Sequence, residues 1–326
     1  MIGEARVKKL LNDIGEVIEA VEYAFSEKGY DRVQMPPKIY LYYKKHDGDL
    51  RVMPSYLEDF DISSVKIVNV HPENRKLGLP TVMALILMMD PKTGAPMLIM
   101  DGTWITAMRT GAASGVATKY LARKNSETLG IIGTGAQAIT QLMAMNQILK
   151  LKEVKVFDRE EKNSKDFINS SSSEYEKLEF TQTETLKETV EGSDVICTLT
   201  PSRKPIIDNS WVNPGTHINA IGADAKGKEE LDPYLLKRAK IVVDDYEQAT
   251  HSGEVNVPIS QGIIRIEDIY AELGEITVGD REGRVSEQEI TIFDSTGLAI
   301  QDTITAYIVF KKIQAQKLGT MIDLKF

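Results

Sequence analysis

The segment Thr128 to Asp158, TLGIIGTGAQAITQLMAMNQILKLKEVKVFD, leaves this chain few folds to choose from. Leu129, Ile131 and Ile132 form a short apolar run that reads as a buried parallel strand, and Ile139 to Leu149 carries apolar residues at helical spacing. Between them stands Gly133-Thr134-Gly135-Ala136-Gln137-Ala138, a G-x-G-x-x-A turn. Gly133 permits the tight turn, Gly135 lets the main chain approach a pyrophosphate, and Ala138 allows close helix–strand packing. The helix then starts with N–H groups that lack intrahelical partners, which suits a phosphate. Val154 to Phe157 reads as a second strand, closed by Asp158, twenty positions past Ala138. A carboxylate there can hold the ribose 2′-hydroxyl of NAD and would repel a 2′-phosphate, although Arg159 next door could accommodate one. Gly133, Thr134, Gly135, Ala136, Gln137, Asp158 and Arg159 are therefore the candidate cofactor residues.

At 326 residues the chain has room for about two domains. Its net charge of −9 leaves no basic footprint, so a nucleic-acid partner is not expected. No apolar run reaches the roughly 18 residues of a membrane span and no signal-peptide core opens the chain, so neither membrane nor secretion is expected. Cys197, the single cysteine, lies in an apolar run and reads as an inert buried thiol, which fits a cytoplasmic protein. The four histidines show no metal-ligand spacing, and no metal is expected. The serine run Ser170 to Ser173 reads as a surface loop.

Residues 3 to 28 have helical periodicity, and Met35-Pro36-Pro37 breaks it. Strands follow at Lys38 to Tyr43, Leu50 to Pro54 and Val65 to Val70, then a hairpin of Val82 to Asp90 and Pro96 to Asp101 across Pro91-Lys92-Thr93-Gly94. The run MALILMMD is apolar without alternation, which demands cover on both faces, by helices or by a second subunit. Thr103 to Arg123 is a helix crowded with small residues and suited to close backbone packing. Beyond the glycine turn, strands recur at Leu178 to Thr181, Val195 to Leu199, Ile218 to Ile221, Ile241 to Asp244 and Ile290 to Phe293 between helical stretches, the pattern of a doubly wound sheet. A last helix from Ala299 is expected to return to the N-terminal part. The fold class is thus α/β, a Rossmann doubly wound parallel sheet over residues 119–300 with a discontinuous α+β substrate and dimerisation domain formed by 1–118 and 301–326.

Four cations stand among apolar neighbours: Lys38, Arg51, Lys66 and Arg109. A buried cation needs a partner, and a bound carboxylate is one, a structural ion pair another. Ile218 to Asp224 reads as a buried strand ending in a carboxylate, with Ala223 beside it, and ligands of open α/β sheets bind at the carboxyl ends of strands. Asp224 is accordingly the candidate acid/base, a helix cap being its alternative, since Lys226 to Leu231 reads as a turn into a helix. Ser295, in the polar end of the last strand, is the candidate contact for a nicotinamide amide, or simply part of a turn.

The segments QMPPK, LRVMP, VKIVNVHPEN, GLPTVMALI, AMRTGAASGVATKYLARKN, GTGAQ, TPSRKP, GTHINAIGAD, GKEEL and FDSTGLAIQD resemble those of the ornithine cyclodeaminase and mu-crystallin family, with its archaeal alanine dehydrogenase branch nearest. The resemblance runs from Met35 to Asp302. It implies a Rossmann domain joined to a substrate domain that dimerises through its strands, carboxylate-binding roles for Lys38, Lys66 and Arg109, a site-lining Thr81, and Asp224 as the catalytic aspartate. Lys38 can share the acid/base role. Ornithine cyclodeaminases carry an acid two residues before the Met of the Met-Pro, where it can pair with a distal ammonium; here that residue is Arg51, which disfavours a cationic side chain. The implied reaction is NAD-dependent, reversible oxidative deamination of L-alanine to pyruvate and ammonia by a cytoplasmic homodimer. The alternatives are cyclodeamination of ornithine to proline and a mu-crystallin-like protein that binds NAD(P)H and a small ligand.

Overall fold

The chain folds into two different main sheets, one antiparallel and one parallel, in two compact units. The computed structural model describes residues 1–320; one unit is Met1–Arg109 with the chain from Leu298 onward, the other Thr110–Gly297.

In the first unit, β1 (Val33–Gln34), β2 (Ile39–Tyr43), β3 (Gly48–Leu57), β4 (Ile62–Val70), β5 (Val82–Met89) and β6 (Pro96–Asp101) form one sheet in which β1 and β2 both pair with β3, followed by β4, β5 and β6. All of its strand pairs are antiparallel. Because side chains alternate across a strand, Arg51, Met53, Ser55 and Leu57 of β3 and Ile62, Ser64, Lys66 and Val68 of β4 share the buried face. The C-terminal helix Ala299–Gln316 covers that face, and Ala299 packs with Met53, Val68 and Ala84. On the opposite face Ile39, Leu41, Ile67, Met83, Leu85 and Met97 are exposed, so among the described residues no helix of this unit supplies the second cover that MALILMMD demands.

The second unit holds an eight-stranded, wholly parallel sheet. Its strands are β7 (Thr128–Ile132), β8 (Glu153–Phe157), β9 (Glu179–Gln182), β10 (Val195–Thr198), β12 (His217–Ala220), β14 (Lys240–Val243), β15 (Ala271–Glu272) and β16 (Thr291–Asp294), while β11 (Arg203–Ile207) and β13 (Glu229–Leu231) pair separately. The order β15-β14-β16-β12-β10-β7-β8-β9 reverses direction between β7 and β10, which makes their carboxyl ends the switch point of a doubly wound fold. Ile132, Ile196, Ile218, Val243 and Ile292 belong to its core. The small-residue helix Thr103–Leu121 crosses the helix Ala138–Ile148 so closely that a Cβ on Gly111 would run into the carbonyl of Thr140. Among the described residues no helix is long and apolar enough to cross a membrane.

Four expectations need correction. The N-terminal periodicity is split into helices Glu4–Leu10 and Ile14–Gly29, because Asp13 turns its carboxylate onto the N–H groups of Gly15 and Glu16 and starts a new helix. The serine run ends a helix, Glu161–Ser172, since Ser164, Phe167 and Ser171 form its buried stripe. Lys226 to Leu231 leads into β13 rather than a helix, and Glu229 and Glu230 are buried there. Finally β12 stops at Ala220, leaving Asp224 in the loop beyond the strand.

Candidate active site

The buried face of the first unit gathers the candidate cations in rows. Lys66 lies between Met53 and Ile86, and Arg51 between Tyr40 and Val68. Lys38 directly precedes β2, half-buried, and its charge acts on Lys66. The first turn of the C-terminal helix supplies their counterparts. Lys66 Nζ lies 2.6 Å from Asp302 Oδ2, Arg109 Nε donates to Asp302 Oδ1 at 2.9 Å, and Arg109 Nη1 donates to Gln301 Oε1 at 3.1 Å. The neighbouring Thr303 hydroxyl meets those of Ser55 and Ser64 at 2.6 Å each, which pins this turn to the sheet. Lys66 is 1% exposed and Arg109 6%. Two cationic side chains therefore share one carboxylate in a buried place, so that when Lys66 is protonated their positive charge exceeds that of Asp302 and an anion can answer it. Burial, then the charge of Arg109, push the Lys66 ammonium down to about 7, with Asp302 opposing them.

Arg51 is also buried, and it forms a two-pronged pair with Asp49, Nε to Oδ1 at 3.0 Å and Nη2 to Oδ2 at 3.1 Å, with its guanidinium 5.4 Å from the centre of the Tyr40 ring. Thr81 is half-buried just before β5, and its carbonyl accepts from the His71 N–H at 2.8 Å.

In the second unit the glycine turn follows β7. Gly133 has φ +93°, a backbone that favours glycine, and a Cβ built on Gly135 meets no atom within 4 Å. The helix Ala138–Ile148 begins without a side-chain cap, and Gln137 Oε1 is buried with no hydrogen-bond partner among the described residues. Asp158, at the end of β8, accepts from the Thr134 N–H at 2.9 Å and hydroxyl at 3.0 Å, the Glu160 N–H at 3.0 Å and Asn163 Nδ2 at 3.1 Å. Burial raises its carboxyl, but these donors outweigh it and hold the group below the usual carboxylate range. Open approach at Gly135, helix N–H groups without a side-chain cap and an acid at the end of β8, held below the usual carboxylate range, fit a dinucleotide. Ala136 and Gln137 lie in the turn; Arg159 projects into solvent beside Glu160. Ser295 is 3% exposed, and its Oγ has no hydrogen-bond partner among the described residues. Ala223 is fully buried beside Asp224.

Asp224 is partly exposed, and Lys228 Nζ donates to its Oδ1 at 2.6 Å. The loop bearing it is fixed by a buried acid. Glu230 accepts from the Thr200 N–H at 2.8 Å, the Thr200 hydroxyl at 2.7 Å and the Gly222 N–H at 3.0 Å. A Cβ on Gly222 would strike both the Thr200 carbonyl and the Glu230 carboxylate, so the chain there has no slack. Glu254 in turn accepts from the N–H groups of Glu230 and Leu231, at 2.8 and 2.7 Å. Burial pushes both carboxyls up, Glu254 well above its usual range with Glu230's charge adding to it. Asp244, just past β14, accepts from the N–H groups of Thr296 and Gly297 at 2.7 Å each. Burial takes the Cys197 thiol up to about 12. Among the described residues no cluster of His, Cys, Asp and Glu could hold a metal ion.

Sequence reasoning overlooked Asp302, Gln301, Asp49, Lys228 and Glu230. Only Asp49 carried a usable local signal, since two residues apart on a strand it must share a face with Arg51.

The family model of ornithine cyclodeaminases and mu-crystallins matches residues 1–317. The chain belongs to the ornithine cyclodeaminase/mu-crystallin family. Within that family, an alanine dehydrogenase of Archaeoglobus fulgidus is 48% identical over 322 residues, which is 99% of this chain and 97% of that protein. A solved archaeal alanine dehydrogenase dimer with bound NAD matches with a TM-score of 0.95 at 47% identity, over 99% of this chain and 98% of its own. The Thermococcus litoralis Delta(1)-pyrroline-2-carboxylate reductase, in complex with NADH and L-proline, matches with a TM-score of 0.96 at 43% identity, over 98% and 99%.

Proposed function

We propose that this member of the ornithine cyclodeaminase/mu-crystallin family is an NAD-dependent oxidoreductase that interconverts L-alanine with pyruvate and ammonia, working as a homodimer. The observation that carries the reading is the buried Lys66–Asp302–Arg109 group, in which two cationic side chains meet one carboxylate and protonated Lys66 leaves a positive charge suited to a small carboxylate. The NAD and NADH held by the solved relatives, together with the glycine turn and Asp158, support the cofactor, and the 48% identity to an alanine dehydrogenase supports the substrate. The exposed apolar face around Ile39, Leu41 and Leu85 and the dimeric archaeal relative support a second copy.

When bound, NADH supplies the hydride that turns the imine of pyruvate into an amine. The chain's own residues do the rest. Lys66 and Arg109, with Lys38, grip the carboxylate and fix the orientation of Cα. Their charge also draws electrons from the neighbouring carbon. Asp224 takes up and returns protons at the amine and at the water that forms or cleaves the imine, with Lys38 able to share this work. Gly133 to Gln137, Asp158, Ala223 and Ser295 serve the cofactor.

A second reading is reduction of Delta(1)-pyrroline-2-carboxylate to L-proline, favoured by the Thermococcus litoralis relative. Both substrates present a carboxylate beside a C=N bond, so the grip alone does not choose between them. NADH oxidation with pyruvate plus ammonia, beside the same assay with Delta(1)-pyrroline-2-carboxylate and no ammonia, decides. The proposal expects the first to have the higher kcat/KM; a dominant second rejects alanine as the substrate. Ornithine consumed with ammonia release and no net change in NADH would indicate a cyclodeaminase, and none of these activities a binding protein.

The grip also predicts a proton linkage. Free Lys66 loses its proton as pH rises through about 7, whereas a bound carboxylate favours the charged form. At pH 8 pyruvate binding to the NADH complex, without ammonia, should take up close to one proton, and affinity should fall as pH rises further. Titration calorimetry in buffers of different ionisation heat measures this. Uptake near zero, or uptake that survives Lys66→Met, would remove Lys66 as the responsible group.

A further inference from the structure

The row of Tyr40, Arg51 and Val68 lies beside that of Met53 and Lys66, and side chains two residues apart on a strand stand roughly 6.7 Å apart on one face. Asp49 follows one row further. A substrate gripped at Lys66 and Arg109, with its Cα substituent running toward the start of β3, therefore meets Arg51 first and Asp49 behind it. We propose that Asp49 sets the substrate class of this site, restricting it to 2-oxo acids whose remaining substituent is uncharged. The proposal rests on the reading that Lys66 and Arg109 hold the substrate carboxylate.

The chemistry follows from what Asp49 occupies. A guanidinium offers parallel N–H groups that match a carboxylate, and a second carboxylate on the substrate would be the natural guest of Arg51. Asp49 already fills that fork with both oxygens, at 3.0 and 3.1 Å, and the two side chains are only 16% and 7% exposed. A diacid would have to approach a guanidinium whose charge Asp49 already neutralises, beside a carboxylate that repels it in a place poor in water, which is unfavourable. A distal ammonium fares no better, because the guanidinium lies in front and Asp49's oxygens are engaged. The pair is neutral as a unit, and the Tyr40 ring beside it adds apolar surface, so a methyl or short alkyl group is the substituent that disturbs nothing. Arg51 alone was expected to reject cations; with Asp49 the same spot turns away both signs.

The experiment compares kcat/KM for 2-oxoglutarate and 2-oxovalerate, acids of equal length with and without a distal carboxylate, using NADH and ammonia. The wild-type ratio is expected below one tenth. Asp49→Asn should raise it tenfold or more by removing the competing negative charge, and adding Arg51→Met to that variant should abolish the gain. A ratio in Asp49→Asn within threefold of wild type overturns the assignment. Should that variant fail to fold, wild-type inhibition decides: butyrate is expected to inhibit at least tenfold more strongly than succinate, and equal inhibition overturns the assignment. Turnover of both oxo acids alike by the wild type overturns the role of Asp49 alone, whereas turnover of no 2-oxo acid overturns the reading beneath it.

Discussion

Asp302→Asn is expected to destabilise the protein by about 3–5 kcal/mol, a drop on the order of 10 °C in the unfolding midpoint. The carboxylate of Asp302 is the shared counter-ion of Lys66 and Arg109, and its side chain is 1% exposed. Asparagine keeps the volume and one acceptor but leaves two buried cations with no negative partner between them. Lys66 would shed its proton to relieve part of the strain, because Asp302 is the charge that opposes the downward push of burial and of Arg109. Thermal and denaturant unfolding measure the loss. The double variant Asp302→Asn with Lys66→Met should recover part of it, since a buried cation is removed together with its lost counter-ion. Two outcomes would contradict this account: a single variant as stable as wild type, or a double variant no more stable than the single.

The same triad marks the boundary between what could and could not be read from the amino-acid order. Lys66 and Arg109 announced themselves because cations among apolar residues are expensive, a property that local sequence exposes. Their partner did not, because Asp302 comes from a helix at the other end of the chain, and an acid in a helical first turn looks like an ordinary dipole contact. The glycine turn was legible for the opposite reason: β7, the turn, the helix Ala138–Ile148 and Asp158 are contiguous, and each piece carries its own local signature. Segments 226–231 misled because Glu229 and Glu230 look solvent-facing, whereas Glu230 is drawn inside by the main-chain donors of Thr200 and Gly222. No pattern of period two or 3.6 reports such a tertiary donor. Ser170 to Ser173 misled through composition, since one buried stripe led by Phe167 outweighs the weak helix propensity of serine.

Asp224→Asn should lower kcat for reductive amination of pyruvate by about 10²–10⁴-fold, the usual contribution of a positioned acid or base. The change is nearly isosteric, and with its side chain 33% exposed Asp224 is not a core group, so stability should move far less than in Asp302→Asn. Asparagine can still accept from Lys228, which keeps the loop in register through one of the contacts that hold it, while Glu230 keeps Gly222 fixed. What it cannot do is take a proton. The loss should therefore appear in kcat more than in the KM for pyruvate, whose carboxylate is assigned to Lys66 and Arg109. Any limb of the kcat profile against pH that reports the ionisation of Asp224 should vanish in the variant. NADH binding, followed by fluorescence, should change little and certifies that the glycine turn is intact. A kcat within tenfold of wild type, with the pH profile unchanged, would take proton transfer away from Asp224 and pass it to Lys38, where Lys38→Met would then be the variant that abolishes turnover.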